Sequence, residues 1–298
     1  MFEGSTVALI TPMSAGGDIA YDELGALINF HVDAGTEALV IAGTTGESAT
    51  LEKREHVELI DRACEMADGR VPIIAGTGSN ATAQTLELST TVGRLPVAGF
   101  LVVTPYYNKP NQEGMYRHFC AVADAVQQPV ILYNVPGRTG VDLKTETVAR
   151  LCRHGNIVAI KEATGDLTRV AALRQRCGRD FTLLSGDDGT AAEFMLQGGD
   201  GCISVTANVA PRKMRQLCDL ARAGRRADAL RIDAELADLH RALFLESNPI
   251  PVKWAVSQMG LAGPGIRLPL IELAGEYRDE VLSAMAAAGV EISPGTES

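Results

Sequence analysis

The chain has 298 residues, 46% of them hydrophobic, with 27 Lys and Arg against 37 Asp and Glu, a formal net charge of −10. That size fills one large core or two modest ones, and the acidic balance argues against nucleic acid and anionic membranes as partners. The longest run of like cations is Arg225-Arg226. No stretch approaches the ~20 apolar residues of a membrane span. The opening Met1-Phe2-Glu3-Gly4-Ser5 has no basic residue, unlike a secretory leader, so a cytoplasmic location is expected. Six cysteines (64, 120, 152, 177, 202, 218) show no paired spacing, which fits buried reduced thiols better than a disulfide framework. Five dispersed histidines form no i, i+4 pair, and neither a metal nor another cofactor is expected.

Short β-branched runs predict strands at 7–10, 38–41, 71–75, 99–103, 130–134, 158–161, 182–185 and 201–205. Between them lie amphipathic stretches such as 22–34, 51–67, 112–126, 144–153 and 190–197. Eight repeats of strand then helix predict an α/β fold with a parallel sheet closed into a (β/α)8 TIM barrel. An open doubly wound sheet is the alternative. After the eighth strand the helical patterns 213–223, 227–244, 249–259 and 280–288 exceed what a barrel needs. The expected division is a catalytic barrel over 1–224 and a C-terminal helical extension over 225–298.

Two motifs invite a wrong reading. Gly76-Thr77-Gly78-Ser79-Asn80-Ala81 fits a dinucleotide fingerprint, yet it belongs to the third unit and lacks the acidic residue expected about 20 positions later. A glycine-bearing loop capped by Asn80 or Ser79 is the better reading. Asp187-Asp188 could suggest a metal, but a cap for the helix near Thr190 is the simpler role.

The chemistry points to the loops that follow the strands. Lys161 ends the apolar run Ile157-Val158-Ala159-Ile160, which sets an amine at the rim of a sheet with its stem in apolar surroundings. Such shelter disfavours an ammonium and favours a nucleophilic amine; the alternative is a lysine snorkelling from a strand end. After strand two, Gly43-Thr44-Thr45-Gly46-Glu47 offers inward N–H groups beside two hydroxyls, a nest for a small carboxylate. Thr104-Pro105-Tyr106-Tyr107 follows strand four, and strand five ends in Tyr133-Asn134-Val135-Pro136-Gly137-Arg138-Thr139-Gly140. Gly186 follows strand seven and Ile203 lies on strand eight. An amine, phenols, a carboxylate nest and an arginine converging on one face describe an imine-forming enzyme for a small keto acid.

With those residues in view, the chain resembles the dihydrodipicolinate synthase family of the pyruvate-dependent aldolases and lyases. The likeness runs from Gly4-Ser5-Thr6 through Gly43-Thr44-Thr45-Gly46-Glu47, the Tyr133 segment and Lys161-Glu162-Ala163-Thr164-Gly165 to Asn248-Pro249-Ile250-Pro251-Val252-Lys253. It implies that Lys161 forms a Schiff base with pyruvate, whose carboxylate Thr45 and nearby N–H groups hold. It implies Tyr133 as general acid and base, linked through Thr44 to Tyr107, which reaches across from a neighbouring subunit. Gly186 and Ile203 would line the pyruvate pocket through backbone atoms. Arg138 would bind the carboxylate of L-aspartate 4-semialdehyde, a task suited to a planar guanidinium fork. The implied reaction belongs to lysine synthesis through diaminopimelate, and the implied assembly is a homotetramer of two tight dimers.

Feedback-inhibited members bind lysine through positions matching Ala49, His56, Asn80 and Tyr106, with a histidine and a glutamate. Here those two are Lys53 and Gln84, an added cation and a lost carboxylate. Weak or absent lysine inhibition is therefore expected. The nearest rival is another pyruvate lyase, such as an N-acetylneuraminate lyase-like enzyme, against which Arg138 argues. A non-catalytic ligand-binding barrel is the rival from another class.

Overall fold

The structure, a computed structural model, describes residues 2–293. Eight parallel strands close into a barrel in chain order: β1 (Gly4–Ala8), β2 (Ala38–Ile41), β3 (Ile73–Gly76), β4 (Gly99–Val103), β5 (Val130–Asn134), β6 (Ile157–Glu162), β7 (Thr182–Ser185) and β8 (Gly201–Ser204). Closure comes from β8 pairing with β1, with Gly4 opposite Gly201 and Thr6 opposite Ile203. The helices between strands are α1 (Tyr21–Ala34), α2 (Lys53–Ala67), α3 (Thr82–Val92), α4 (Gln112–Ala125), the one-turn α5 (Pro136–Thr139), α6 (Thr145–Leu151), α7 (Thr168–Cys177) and α8 (Ala191–Leu196). Helix α9 (Pro211–Arg222) follows β8 and packs on β1, and α10 (Arg226–Ala242), α11 (Ile250–Gln258) and α12 (Gly275–Ala287) continue beyond it. Residues 294–298 of the expected extension lie outside the described residues.

Alternating side chains divide the core in two. Val7, Leu39, Ile41, Phe100, Val102, Val130, Leu132 and Ile160 point outward into the layer beneath the helices. Ala8, Val40, Ile74, Leu101, Ile131, Tyr133, Ala159, Leu184 and Ile203 fill the barrel interior. Period two along each strand is what lets one short run serve both layers. No helix among the described residues is long and apolar enough to cross a membrane.

Several expected boundaries shift. Strand β1 begins at Gly4, three residues before the expected 7–10, because Ser5 and Thr6 are fully buried hydroxyl residues. Helices α3 and α7 were outside the amphipathic stretches singled out above: the first is rich in Thr and the second in Arg, so their apolar stripes are thin. Neither expected cap is formed. Ala81 occupies the N-cap of α3, and Ser79 Oγ only receives the Ala81 N–H at a long 3.4 Å. Asp188 Oδ2 instead accepts the N–H groups of Val205 and Thr206, both at 2.8 Å, and so ties β7's exit to β8's. Of the cysteines only Cys64, Cys202 and Cys218 are buried, while Cys120, Cys152 and Cys177 are half-buried.

Two histidines make the packing sensitive to acid. Burial pushes His31 on α1 down to about 3 and His118 on α4 down to about 4, from 6.5. Both are held neutral in the fold, so their contribution is full above the unfolded value and is lost as pH falls toward 4 and 3. The two together should lower unfolding free energy by about 4 kcal/mol between pH 8 and pH 5. Denaturant titrations at the two pH values, with imidazole proton shifts, check this; a flat profile, or either ring charging near pH 6, contradicts it.

Candidate active site

Lys161 is the fifth of six residues in β6, two beyond Ala159, so it shares the inward face. Its Cα partner on β5 is Tyr133, which likewise follows the inward Ile131. The adjacent strands thus set amine and phenol ring side by side, with Nζ 4.4 Å from the ring centroid. Lys161 is 5% exposed and Tyr133 7%, which rules out a lysine snorkelling to bulk water. Gly186 at the end of β7 closes the opposite flank. A Cβ there would lie 2.9 Å from both Cγ and Cε of Lys161 and 2.7 Å from Ala163 Cβ, so only glycine lets β7 approach the lysine stem. Ile203, 1% exposed, sits in the same interior cluster as Tyr133.

Behind the lysine lies a polar network that sequence reading did not single out. Glu162 is 3% exposed and receives Arg169 Nε at 2.9 Å, the Thr164 N–H at 3.0 Å and Asn134 Nδ2 at 3.2 Å. Burial pushes its carboxyl up against those partners. Its backbone oxygen accepts the Gly186 N–H at 2.8 Å, so the network braces the strand end that carries Lys161. A buried carboxylate directly after the lysine at a strand's end reads, from sequence, like any loop glutamate.

The loop after β2 is the one expected to form a carboxylate nest. Thr45 is buried and its Oγ1 lies 3.0 Å from Asn248 Nδ2. Glu47, in the left-handed region at φ 57°, is buried and ion-pairs with the equally buried Lys253 of α11. The other Glu47 oxygen receives the Arg267 N–H at 3.1 Å, and the Arg267 guanidinium grips Glu55 through both of its terminal nitrogens. Burial pulls the Lys253 ammonium below its usual range, while Glu47 opposes that pull. The nest is therefore clamped from below by the C-terminal segment.

Arg138, on the single turn α5, reaches the backbone oxygen of Asn248 at 3.0 Å. Together with Thr44, Val103, Tyr106, Val135 and Thr139 it lines a cavity of about 540 Å³. That cavity continues past Ala49, Lys53, His56, Ser79, Gln84 and Glu87. Lys53 forms an ion pair with Glu87 there, both side chains being largely exposed. Tyr107 stands apart from the rest: its ring is 86% exposed and its backbone is held at φ 74°, with its N–H on Thr139 O at 3.2 Å. That conformation is costly for a tyrosine, and within a single chain the residue stands largely in solvent. The structure thus unites Lys161, Tyr133, Gly186 and Ile203 in the barrel mouth, and joins Thr45 to Arg138 through Asn248. Thr44 is half-buried at the cavity wall, and Tyr107 is outside the cluster within one chain.

Comparison with known proteins agrees with this geometry. A family model described as the dihydrodipicolinate synthetase family matches residues 1–288. The 4-hydroxy-tetrahydrodipicolinate synthase of Thioalkalivibrio sulfidiphilus is 54% identical over 293 residues, 98% of this chain and all of the relative. That of Methylococcus capsulatus is 55% identical over 290 residues, 97% of this chain and all of the relative. Among solved structures, the chloride-inhibited dihydrodipicolinate synthase of Acinetobacter baumannii, complexed with pyruvate, superposes with a TM-score of 0.96 at 48% identity. It covers 98% of this chain and 100% of that one. A likeness this complete, in sequence and in backbone alike, makes the chain a member of the dihydrodipicolinate synthetase family.

Proposed function

We propose that the chain is a 4-hydroxy-tetrahydrodipicolinate synthase, a lyase of the class I aldolase type that condenses pyruvate with L-aspartate 4-semialdehyde in lysine synthesis. The observation that carries this reading is the sheltered Lys161 amine beside the Tyr133 ring at the carboxyl end of the barrel. Lys161 adds to the C2 carbonyl of pyruvate, and Tyr133 protonates the departing hydroxyl, so water leaves and an imine remains. Loss of a methyl proton then gives an enamine. Its carbon attacks the aldehyde of the semialdehyde, whose oxygen takes up a proton to become the 4-hydroxyl. The semialdehyde's own amine finally attacks the imine carbon and displaces Lys161 as the ring closes.

Two carboxylates must be held during this sequence, and two anchors are available. Thr45 and the surrounding N–H groups serve pyruvate, with the Gly186 and Ile203 backbones as walls. Arg138 serves the semialdehyde. Thr44 passes protons between Tyr133 and Tyr107, the latter supplied by a neighbouring subunit; its exposure here supports that reading. The working assembly is a homotetramer of two tight dimers, in the cytoplasm, with residues 1–224 as the barrel and 225–298 as the extension that completes its rim. Borohydride reduction with pyruvate, followed by intact-mass analysis, tests the scheme: one reduced three-carbon acid should attach, at Lys161. No adduct would refute it. A coupled assay comparing the semialdehyde with N-acetylmannosamine separates this activity from a sugar-acid lyase.

The cavity beyond Arg138 carries a prediction about regulation. Lys53 places a cation in its wall and engages Glu87, so the carboxylate absent at Gln84 has no free substitute there. A ligand with two ammonium groups meets repulsion instead of a partner. Initial rates with millimolar L-lysine should stay within about twofold of the uninhibited rate. Strong inhibition would overturn this, and Lys53→His with Gln84→Glu should then change little.

A further inference from the structure

We infer that Asn248 is a positioning residue that fixes the hydrogen-bond polarity of Thr45 and so sets the pyruvate anchor. The inference rests on the reading of Thr45 as the pyruvate-carboxylate ligand. Asn248 lies 203 positions from Thr45 in the chain and is 5% exposed. Its side-chain amide donates from Nδ2 to Thr45 Oγ1 at 3.0 Å. A hydroxyl that already accepts from an amide turns its single proton elsewhere. A carboxylate, which only accepts, is the ligand such a hydroxyl suits. The other end of the amide, Oδ1, is buried without a hydrogen-bond partner among the described residues.

The same residue holds the second anchor by a different group. Its backbone oxygen, not its side chain, accepts Arg138 Nη2 at 3.0 Å. Side-chain substitution therefore leaves the Arg138 contact in place while changing what Thr45 receives. The two substrates become separable at one position, which a merely structural residue would not allow.

Asn248→Asp is close to isosteric, and its carboxylate reverses the demand on Thr45, which must now donate to it. The added charge also opposes the pyruvate carboxylate. Borohydride-trapped adduct measured against pyruvate concentration should give a half-saturation raised roughly tenfold to a hundredfold at pH 8. The defect should shrink as pH falls and the carboxyl takes up a proton. The KM for the semialdehyde should change by less than about threefold, since the Arg138 contact persists. Asn248→Ala should weaken pyruvate binding without the pH dependence, and should add nothing in a Thr45→Val background. Unaltered pyruvate dependence in Asn248→Asp, or an equal loss for both substrates, would overturn the inference. Absence of an adduct in the wild-type enzyme would instead remove the catalytic reading on which it rests.

Discussion

Lys161→Ala should abolish turnover, with kcat down by at least about 10⁴-fold, and should leave no borohydride-trapped adduct. The size follows from what the amine supplies. Without it no imine forms, and pyruvate has no electron sink through which to lose a methyl proton. The residual groups, Tyr133 and the nest around Thr45, would still bind pyruvate, so equilibrium binding should survive far better than catalysis. Folding should survive as well. The side chain leaves a space beside Gly186 and Ala163, and removing it breaks none of the ion pairs found among the described residues. Near-native activity in Lys161→Ala, at unchanged thermal stability, would exclude the imine route.

Arg138→Ala is expected to damage one substrate selectively. The guanidinium is positioned by Asn248 O and faces the cavity that opens above the barrel mouth. Arg138 is exposed in the single chain, and removing a charge-assisted partner of a carboxylate costs about 1.5–3 kcal/mol, a loss of roughly tenfold to a hundredfold in kcat/KM for the semialdehyde. Pyruvate adduct formation should persist at close to the wild-type level. Arg138→Lys should recover little, because a point charge lacks the planar fork. Loss of adduct formation in Arg138→Ala would move this residue to the pyruvate step.

Most of the barrel was legible because each strand is a short β-branched run followed by a helical period, repeated eight times. Strands 38–41, 99–103, 130–134 and 182–185 fall where those runs do. Reading failed where burial is polar. Ser5 and Thr6 are interior but look like a loop, and β1 was accordingly set too late. Lys161, Tyr133, Gly186 and Ile203, which the structure gathers at the barrel mouth, were open to sequence reading because each stands at or near the carboxyl end of its strand. Asn248, Lys253 and Arg267 were not accessible as partners of that face. Their contacts with Thr45 and Glu47 span 203, 206 and 220 positions, and no local pattern encodes a meeting at such range. The capping readings failed for a related reason: Asp188 serves backbone donors beyond β8, not the helix next to it.

The buried pair between Glu47 and Lys253 has a consequence for synthesis on the ribosome. A nascent chain that has emerged as far as α9 already possesses all eight strands, yet it still lacks Lys253 and Arg267, the two residues that hold Glu47 in the finished fold. The loop that carries Thr45 is left without its clamp until α11 and the segment after it arrive, so a prematurely terminated polypeptide would present the Glu47 carboxylate to water.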